Sequence, residues 1–430
     1  MGRKTLPKER SNNKNTKHPQ APPYDVITTL SSEGKCNLIA ELSESVLENP
    51  NSAFFAGSQD NDDSNGPKEP SKVKRLIDLA DTTGIVVKHK IRTDEHTARL
   101  SIVSLLAIFQ DTLPTYRIRL PTEEETSVRV SKDTKKVWQY ERALLTHYQW
   151  YLKVLEQTWT NENTFPKNNK NQKPKTPSPL GITAIVSLCE LLKSAPHFNF
   201  RSKILSIVTR QASNRNCDQV ATSCCNALTH IFKNDSHGEI SLETTRMLTK
   251  MIYNRNFQVR PELLHTFLHL PLRVHEDEAE AAKIAQKAQT KKRKRNKLLA
   301  EQIKIEEEMR ENDGVTDKIL LAKNQADTLQ VVILTYFRIL KTDPKQNSDI
   351  VPLIPETLKG LAKFSHLIHF DTVLDLLKVL RELLESVDAL PLEAALNAVL
   401  AVFQILQGPG RELQIDQKDY VTPLYTQMVR

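Results

Sequence analysis

Glycine is scarce in this sequence, with 11 residues in 430. The glycines are scattered, and neither G-x-G-x-x-G nor G-x-x-x-x-G-K-[ST] occurs, so the backbone loops that cradle nucleotide phosphates are not expected. The five cysteines show no C-x-x-C spacing, which argues against a disulfide framework and against a four-ligand zinc module. The sequence therefore favours a reducing compartment and predicts neither a metal nor a cofactor.

Long hydrophobic runs are also missing. The longest apolar stretches, residues 98–109 and 396–406, fall short of the ~20 residues that span a bilayer, and both contain polar interruptions. The basic N-terminal residues are not followed by the apolar run of a secretory signal. We therefore expect no contact with a membrane and a location in the cytosol or nucleus.

The sequence does have enough apolar residues, 39%, for roughly three domain-sized cores or one long repeat array. This proportion excludes disorder throughout. Lys and Arg number 60 against 52 Asp and Glu, and the resulting net charge of +8 favours an anionic partner without proving one.

Apolar residues recur at one-turn spacing along most of the chain, and this pattern predicts an all-α fold. The helices come in pairs about 35 to 40 residues apart, close to the ~40 to 47 of HEAT-like units, so we expect a HEAT/armadillo-like helical repeat, or α-solenoid. A short strand at 85–87 is the exception. The predicted regions are a disordered basic tail (1–30), an N-terminal helical region (31–160), a linker that divides the chain (161–179), helical repeats (180–275), a charged helical insertion (276–315) and C-terminal helical repeats (316–430).

The predicted helix around residues 140–159 carries tyrosines and tryptophans at turn spacing. Such residues are more often the core face of the helix, but they also occur in partner-binding faces. Tyr148, Trp150 and Tyr151 together cover more than one face, which favours an interface.

The charged insertion contains six cations within seven residues: Lys291, Lys292, Arg293, Lys294, Arg295 and Lys297. The cluster can be a nuclear-import signal, a phosphate contact or a solvated helix face. We favour import, with RNA contact compatible. If all six cations touched single-stranded RNA, log affinity would fall with log salt at a slope near about −4.

No catalytic site emerges from the sequence. His265 and His269 have the spacing of zinc ligands on a helix, but threonine stands at 266 where a metallopeptidase needs glutamate. We interpret this pair, and His366 with His369, as structural or surface residues. Cys189, Cys224 and Cys225 lie on apolar helical faces and are expected to be buried, inert thiols. We therefore predict no enzymatic activity and no small-molecule substrate.

Several segments resemble the nucleolar complex-associated protein 3 family, eukaryotic factors of large-ribosomal-subunit assembly. They occur in one order along the chain: SLLAIFQDTLPTYRIRL (104–120), SLCELLKSAPHFNF (187–200), RNFQVRPELLHTFLHL (255–270), TYFRILK (335–341), GLAKFSHLIHFDTVLDLLKVL (360–380) and FQILQGPGRELQID (403–416). Thr115 departs from the family's usual glycine, and residues 161–179 are unlike the family's linker. Because the family's helical C-terminal domain normally continues further, we expect Arg430 to be a truncated end.

The resemblance implies a non-enzymatic helical-repeat scaffold in the nucleus and nucleolus. Its partners would be a member of the nucleolar complex-associated protein 2 family and pre-ribosomal particles, whose maturation and intranuclear transport it would support. At matching positions, the candidate docking residues are Tyr116, Arg117, Arg119, Arg255, Arg260 and Pro261. An ordered connector and a helix start with surface arginines would explain the same residues equally well.

Two other functions stay open at the level of sequence. Some family members are linked to replication licensing, so the same cations could place a chromatin-bound factor on DNA during replication initiation. A karyopherin-like carrier could be built from similar repeats, although the charged insertion would be unusual in it.

Overall fold

The computed structural model describes residues 27, 30–55, 70–82, 93–163, 177–273, 315–342, 347–368, 370–385, 391–408, 410–411 and 415–429. Within these ranges the chain forms 16 α-helices, three short 3-10 helices and no strand. None of the described helices is long and apolar enough to cross a membrane. The predicted all-α helical-repeat class is confirmed, whereas its HEAT or armadillo subtype stays a prediction.

The helices lie close to the positions that apolar periodicity predicts. Their bounds are α1 Ser32–Glu48, α2 Pro50–Ala53, α3 Lys72–Ala80, α4 Glu95–Thr112, α5 Glu123–Ser127, α6 Lys132–Asn163, α7 Pro179–Ser194, α8 Arg201–Ala212, α9 Asp218–Asn234, α10 Glu239–Asn254, α11 Pro261–His265, α12 Val315–Lys341, α13 Ile354–Phe364, α14 Phe370–Glu385, α15 Leu392–Gln407 and α16 Lys418–Val429. The 3-10 helices are Thr266–His269, Ser348–Leu353 and Ser365–Leu367.

Several helices begin at hydroxyl side chains that satisfy their first backbone N–H groups. Ser31, Ser71 and Ser178 cap α1, α3 and α7 in this way. At α5, Thr122 accepts from the Glu125 N–H while the Glu125 carboxylate accepts from the Thr122 N–H. This reciprocal pair of hydrogen bonds is a capping box.

Helix packing proceeds along the chain in order. Helices α1 and α3 pack against α4, and α4 and α6 pack against α7, which in turn contacts α9. Further along the chain, α10 packs against α12, α12 against α13, α13 against α15, and α15 against α16. Because each helix packs mainly on near neighbours in sequence, one continuous apolar core is buried by stacking.

The aromatic side chains of α6 form part of this core. Tyr148 and Tyr151 are buried, and both rings contact Phe109 of α4 at centroid distances of 5.3 and 5.2 Å. The Tyr151 hydroxyl donates a hydrogen bond of 2.8 Å to the Ile102 carbonyl. Trp150 is partly buried against the core beneath the Lys74 ammonium. The interpretation of this aromatic helix as a partner-binding face is therefore wrong, because side chains of α3 and α4 already contact its tyrosine and tryptophan rings.

The packing of the described residues bears on two of the predicted regions, the N-terminal tail and the linker. Ile27 is buried and Leu30 packs against the core, so packed residues begin inside the predicted tail of 1–30. Helices α6 and α7 flank the predicted linker and pack against each other, so residues on both sides of it share one core. The strand predicted at 85–87 lies outside the described residues, as does nearly all of the insertion at 276–315.

Candidate docking surface

The connector between α4 and α5, residues 113–122, contains neither helix nor strand. Pro114 and Pro121 disfavour helix at its two ends. At its centre Ile118 is buried, and its backbone is held by one side chain: the Ile118 N–H donates to Asn199 Oδ1, and Asn199 Nδ2 donates to the Ile118 carbonyl, both at 2.9 Å. This paired contact anchors the connector to the turn that precedes α8.

The predicted docking residues of the connector flank this anchor and point outward. Tyr116 is 59% exposed, with its hydroxyl 3.4 Å from the Glu141 carboxylate. Arg117 is exposed, and the Arg119 guanidinium lies 3.3 Å from Glu125 with 79% of its side chain in solvent. Such exposed ion pairs contribute little to stability, so both arginines are available to a partner.

The segment 255–261 is a helix end followed by a new helix start. The Asn256 N–H donates to the Tyr253 carbonyl and the Phe257 N–H donates to the Ile252 carbonyl, which is the pattern of a Schellman motif. Asn256 and Phe257 both have positive φ, of 48° and 65°. Pro261 then occupies the first turn of α11, where a missing N–H costs nothing.

Arg255 and Arg260 hold the loop between α8 and α9. Arg255 donates to the Arg210 and Ser213 carbonyls at 3.2 and 3.3 Å, which places a cation at the C-terminal end of α8. Arg260 donates to the Asn214 carbonyl at 3.2 Å and to Asp218 at 2.6 Å. These two predicted docking residues therefore have a clear structural role.

Arg255 also lines a shallow pocket of about 460 Å³ at this end of α8. The pocket is formed by Arg210, Gln211, Ser213, Asn214, Arg215, Asn216, Arg255 and Gln258. Three arginines thus line one concave surface, and no aspartate or glutamate is among the residues that form it. Burial, followed by the charges of Arg210 and Arg215, lowers the pKa of the Arg255 guanidinium.

Sequence reasoning missed Arg210 and Arg215. The available signal was two arginines flanking a predicted helix end, in the segment RQASNR, but nothing in the sequence places them beside Arg255 some 40 residues later. The predicted docking residues also do not form a single site. Asn199, which anchors the connector, lies just before the start of α8, whereas Arg255 contacts the C-terminal end of α8. The length of this 12-residue helix separates the two groups of docking residues by about 18 Å.

The basic cluster Lys291 to Lys297 lies outside the described residues, so its role in import or RNA contact stays a prediction. His369 is also outside them. The His265 Nδ1–H donates to the Glu356 carboxylate at 3.0 Å, and the His265 ring contacts that of His269. Within the described part of the chain, no group of three or more His, Cys, Asp or Glu side chains has the arrangement of a metal site.

Two of the three cysteines predicted to be buried, Cys189 and Cys224, are buried, whereas Cys225 is only partly buried. Cys189 and Cys224 are buried with their Sγ atoms 3.8 Å apart, and the hydrogen bond between them together with burial raises the pKa of Cys224. Burial also raises the pKa of Cys225 to about 12. Cys224 and Cys225 are therefore thiols at neutral pH, and the low reactivity expected of the three cysteines stays a prediction.

Comparison with known proteins agrees with the sequence motifs. A sequence model of the family described as "Nucleolar complex-associated protein" matches residues 35–151. The human "Nucleolar complex protein 3 homolog" is 37% identical over 339 residues, covering 76% of this chain and 41% of the human protein. The "Nucleolar complex-associated protein 3" of Schizosaccharomyces pombe is 32% identical over 348 residues, and that of Arabidopsis thaliana 28% over 445. The chain spans less than half the length of these relatives.

Fold and surface together define a helical-repeat protein with basic segments held rigidly at its surface. The relatives' names indicate a nuclear and nucleolar location. The chain belongs to the nucleolar complex-associated protein 3 family, as its sequence motifs predict.

Proposed function

We propose that the chain is a non-enzymatic scaffold in the assembly of the large ribosomal subunit and in the movement of pre-ribosomal particles from nucleolus to nucleoplasm. It acts with a member of the nucleolar complex-associated protein 2 family. Its family, and relatives whose names refer to a nucleolar complex, support this role. The stacked helices leave long outer surfaces on which several partners can bind at once.

The anchored connector is the observation that carries the proposal. Arg117 and Arg119 project on either side of a buried residue whose backbone is fixed at both of its hydrogen-bonding groups. A partner that binds these arginines does not have to order a flexible loop, which lowers the entropic cost of association. Tyr116 adds an aromatic ring of the kind that is enriched at protein interfaces.

The absence of an enzymatic role has support from the chemistry of the described residues. The pKa values of the Cys224 and Cys225 thiols are raised, and His265 is engaged with Glu356. Neither arrangement supplies an activated nucleophile with a neighbouring base.

Nuclear entry depends, in this proposal, on Lys291, Lys292, Arg293, Lys294, Arg295 and Lys297. A cluster of this density is typical of import signals. Changing these six residues to alanine removes no apolar side chain, so the tagged chain should fold but accumulate less in the nucleus. Unchanged nuclear accumulation would refute the import role.

The docking role can be tested by affinity purification of the tagged chain from cells. The unchanged chain should recover a protein of the nucleolar complex-associated protein 2 family together with rRNA, and Arg117→Ala/Arg119→Ala should recover less of that protein. Arg99→Ala/Arg142→Ala is the matched control, since it removes two exposed arginines elsewhere. Equal recovery with both double variants would exclude the connector as the docking site. Recovery of neither protein nor rRNA by the unchanged chain would refute the function.

A further inference from the structure

The pocket at the C-terminal end of α8 has more positive charge than its structural role requires. Arg255 already caps the helix through two hydrogen bonds. Arg210 has no carboxylate within ion-pair distance among the described residues, and Arg215 has a single exposed contact of 3.4 Å with Asp349. Asp349 is also held by Gln258 at 2.9 Å, so it is shared between two partners. Three positively charged side chains therefore line one pocket, and Asp349 is the carboxylate that the described residues place in contact with them.

The walls of this pocket are preformed. The Asn216 N–H donates to Asn214 Oδ1 at 2.9 Å, an Asx turn that fixes the loop after α8. Arg255 and Arg260 bind the carbonyls of the same loop. On the opposite side, Asn256 and Phe257 in the left-handed region turn the chain sharply, and Asn347 holds the Asn256 carbonyl at 3.1 Å. A bound anion would thus meet an ordered site.

We propose that the pocket of Arg210, Arg215 and Arg255 binds the phosphodiester backbone of RNA. Guanidinium forks match phosphate oxygens in pairs, and the surrounding Gln211, Asn214, Asn216 and Gln258 can donate to or accept from ribose hydroxyls. The choice of RNA over an acidic protein rests on the proposed function in pre-ribosomal particles.

The test measures binding of the whole chain to a single-stranded RNA oligonucleotide and to a poly-glutamate peptide by fluorescence anisotropy at several salt concentrations. Arg210→Ala/Arg215→Ala spares Arg255, so the cap of α8 stays in place. We expect RNA affinity to fall about tenfold at low salt and the slope of log affinity against log salt to lessen by about 1.4, for two lost phosphate contacts. The Arg99→Ala/Arg142→Ala control should stay within about twofold of the unchanged chain.

RNA affinity that is unchanged in the Arg210/Arg215 variant would overturn the proposal. If poly-glutamate binds as tightly as RNA, and its affinity falls as much in the Arg210/Arg215 variant, the pocket is a site for acidic protein instead. If the double variant misfolds, Arg210→Lys/Arg215→Lys keeps the charge and should still bind RNA, but more weakly because the paired geometry is lost. When the unchanged chain recovers rRNA from cells but its RNA affinity does not depend on these arginines, the pocket inference fails and the proposed function stands.

Discussion

At the scale of single residues, one buried acid makes stability depend on pH. Burial, followed by the negative charge of Asp81, raises the pKa of Asp78 in α3 to about 7. The carboxyl of an unfolded chain titrates near about 3.9. The folded chain therefore holds this proton more tightly, and the stability that the protonated group provides is lost as pH rises from about 4 through about 7.

Asp78→Asn should remove this dependence, because an amide stays neutral at every pH. Relative to the variant, the unchanged chain should lose on the order of a few kcal/mol of unfolding free energy between pH 5 and pH 8. Urea unfolding of both chains at the two pH values measures the difference. If the difference in unfolding free energy between the two chains is the same at both pH values, Asp78 does not titrate near neutrality.

A second residue-scale prediction concerns the contact between α12 and α13. A Cβ added at Gly360 would overlap the ring of the buried Tyr336. Gly360→Ala should therefore destabilise the chain by about 1–3 kcal/mol, although alanine is the better helix former. Gly34→Ala, in α1, meets only side chains at 3.3 Å or more and is the matched control.

Tyr336→Leu should relieve part of this overlap. In thermal or urea unfolding, the double variant should then lose less stability than the sum of the two single changes. Additive losses, or a Gly360→Ala chain as stable as the original, would show that the two helices do not approach each other this closely.

At the scale of elements, the connector depends on one side chain. Asn199→Ala removes both hydrogen bonds to the Ile118 backbone and should cost about 1–3 kcal/mol. Asn199→Asp keeps the acceptor for the Ile118 N–H but places a carboxylate oxygen against the Ile118 carbonyl oxygen, so it should also destabilise the connector. Hydrogen exchange at the Ile118 amide should be faster in both variants than in the unchanged chain. Equal exchange in all three would mean that the connector is held by other contacts.

The elements themselves could be predicted from the sequence, and the site only in part. Apolar periodicity predicts helices at 201–212 and 418–429, and α8 and α16 have these bounds, because the residues that face the core are apolar and recur at one-turn spacing within each helix. The aromatic excess of α6 was misinterpreted because the helices that cover it lie elsewhere in the chain. The arginine pocket could not be foreseen, since Arg255 meets Arg210 and Arg215 only when α8 and α10 stack.

At the scale of the whole molecule, stacking of near neighbours explains how the described helices can offer many outer surfaces. Each helix pair buries its apolar face against the next, and polar segments such as the connector and the α8 pocket stay outside. These two basic surfaces lie at opposite ends of α8, so a protein partner at one and RNA at the other would not compete for space.

Co-sedimentation of the tagged chain with large particles from nuclear extracts tests the central claim most directly. The extract is divided and treated with RNase, with DNase or with neither before centrifugation through a density gradient. The proposed scaffold role predicts that RNase shifts the chain to the top of the gradient while DNase leaves it with the large particles. Release by DNase but not by RNase would contradict this role and favour a chromatin-bound factor.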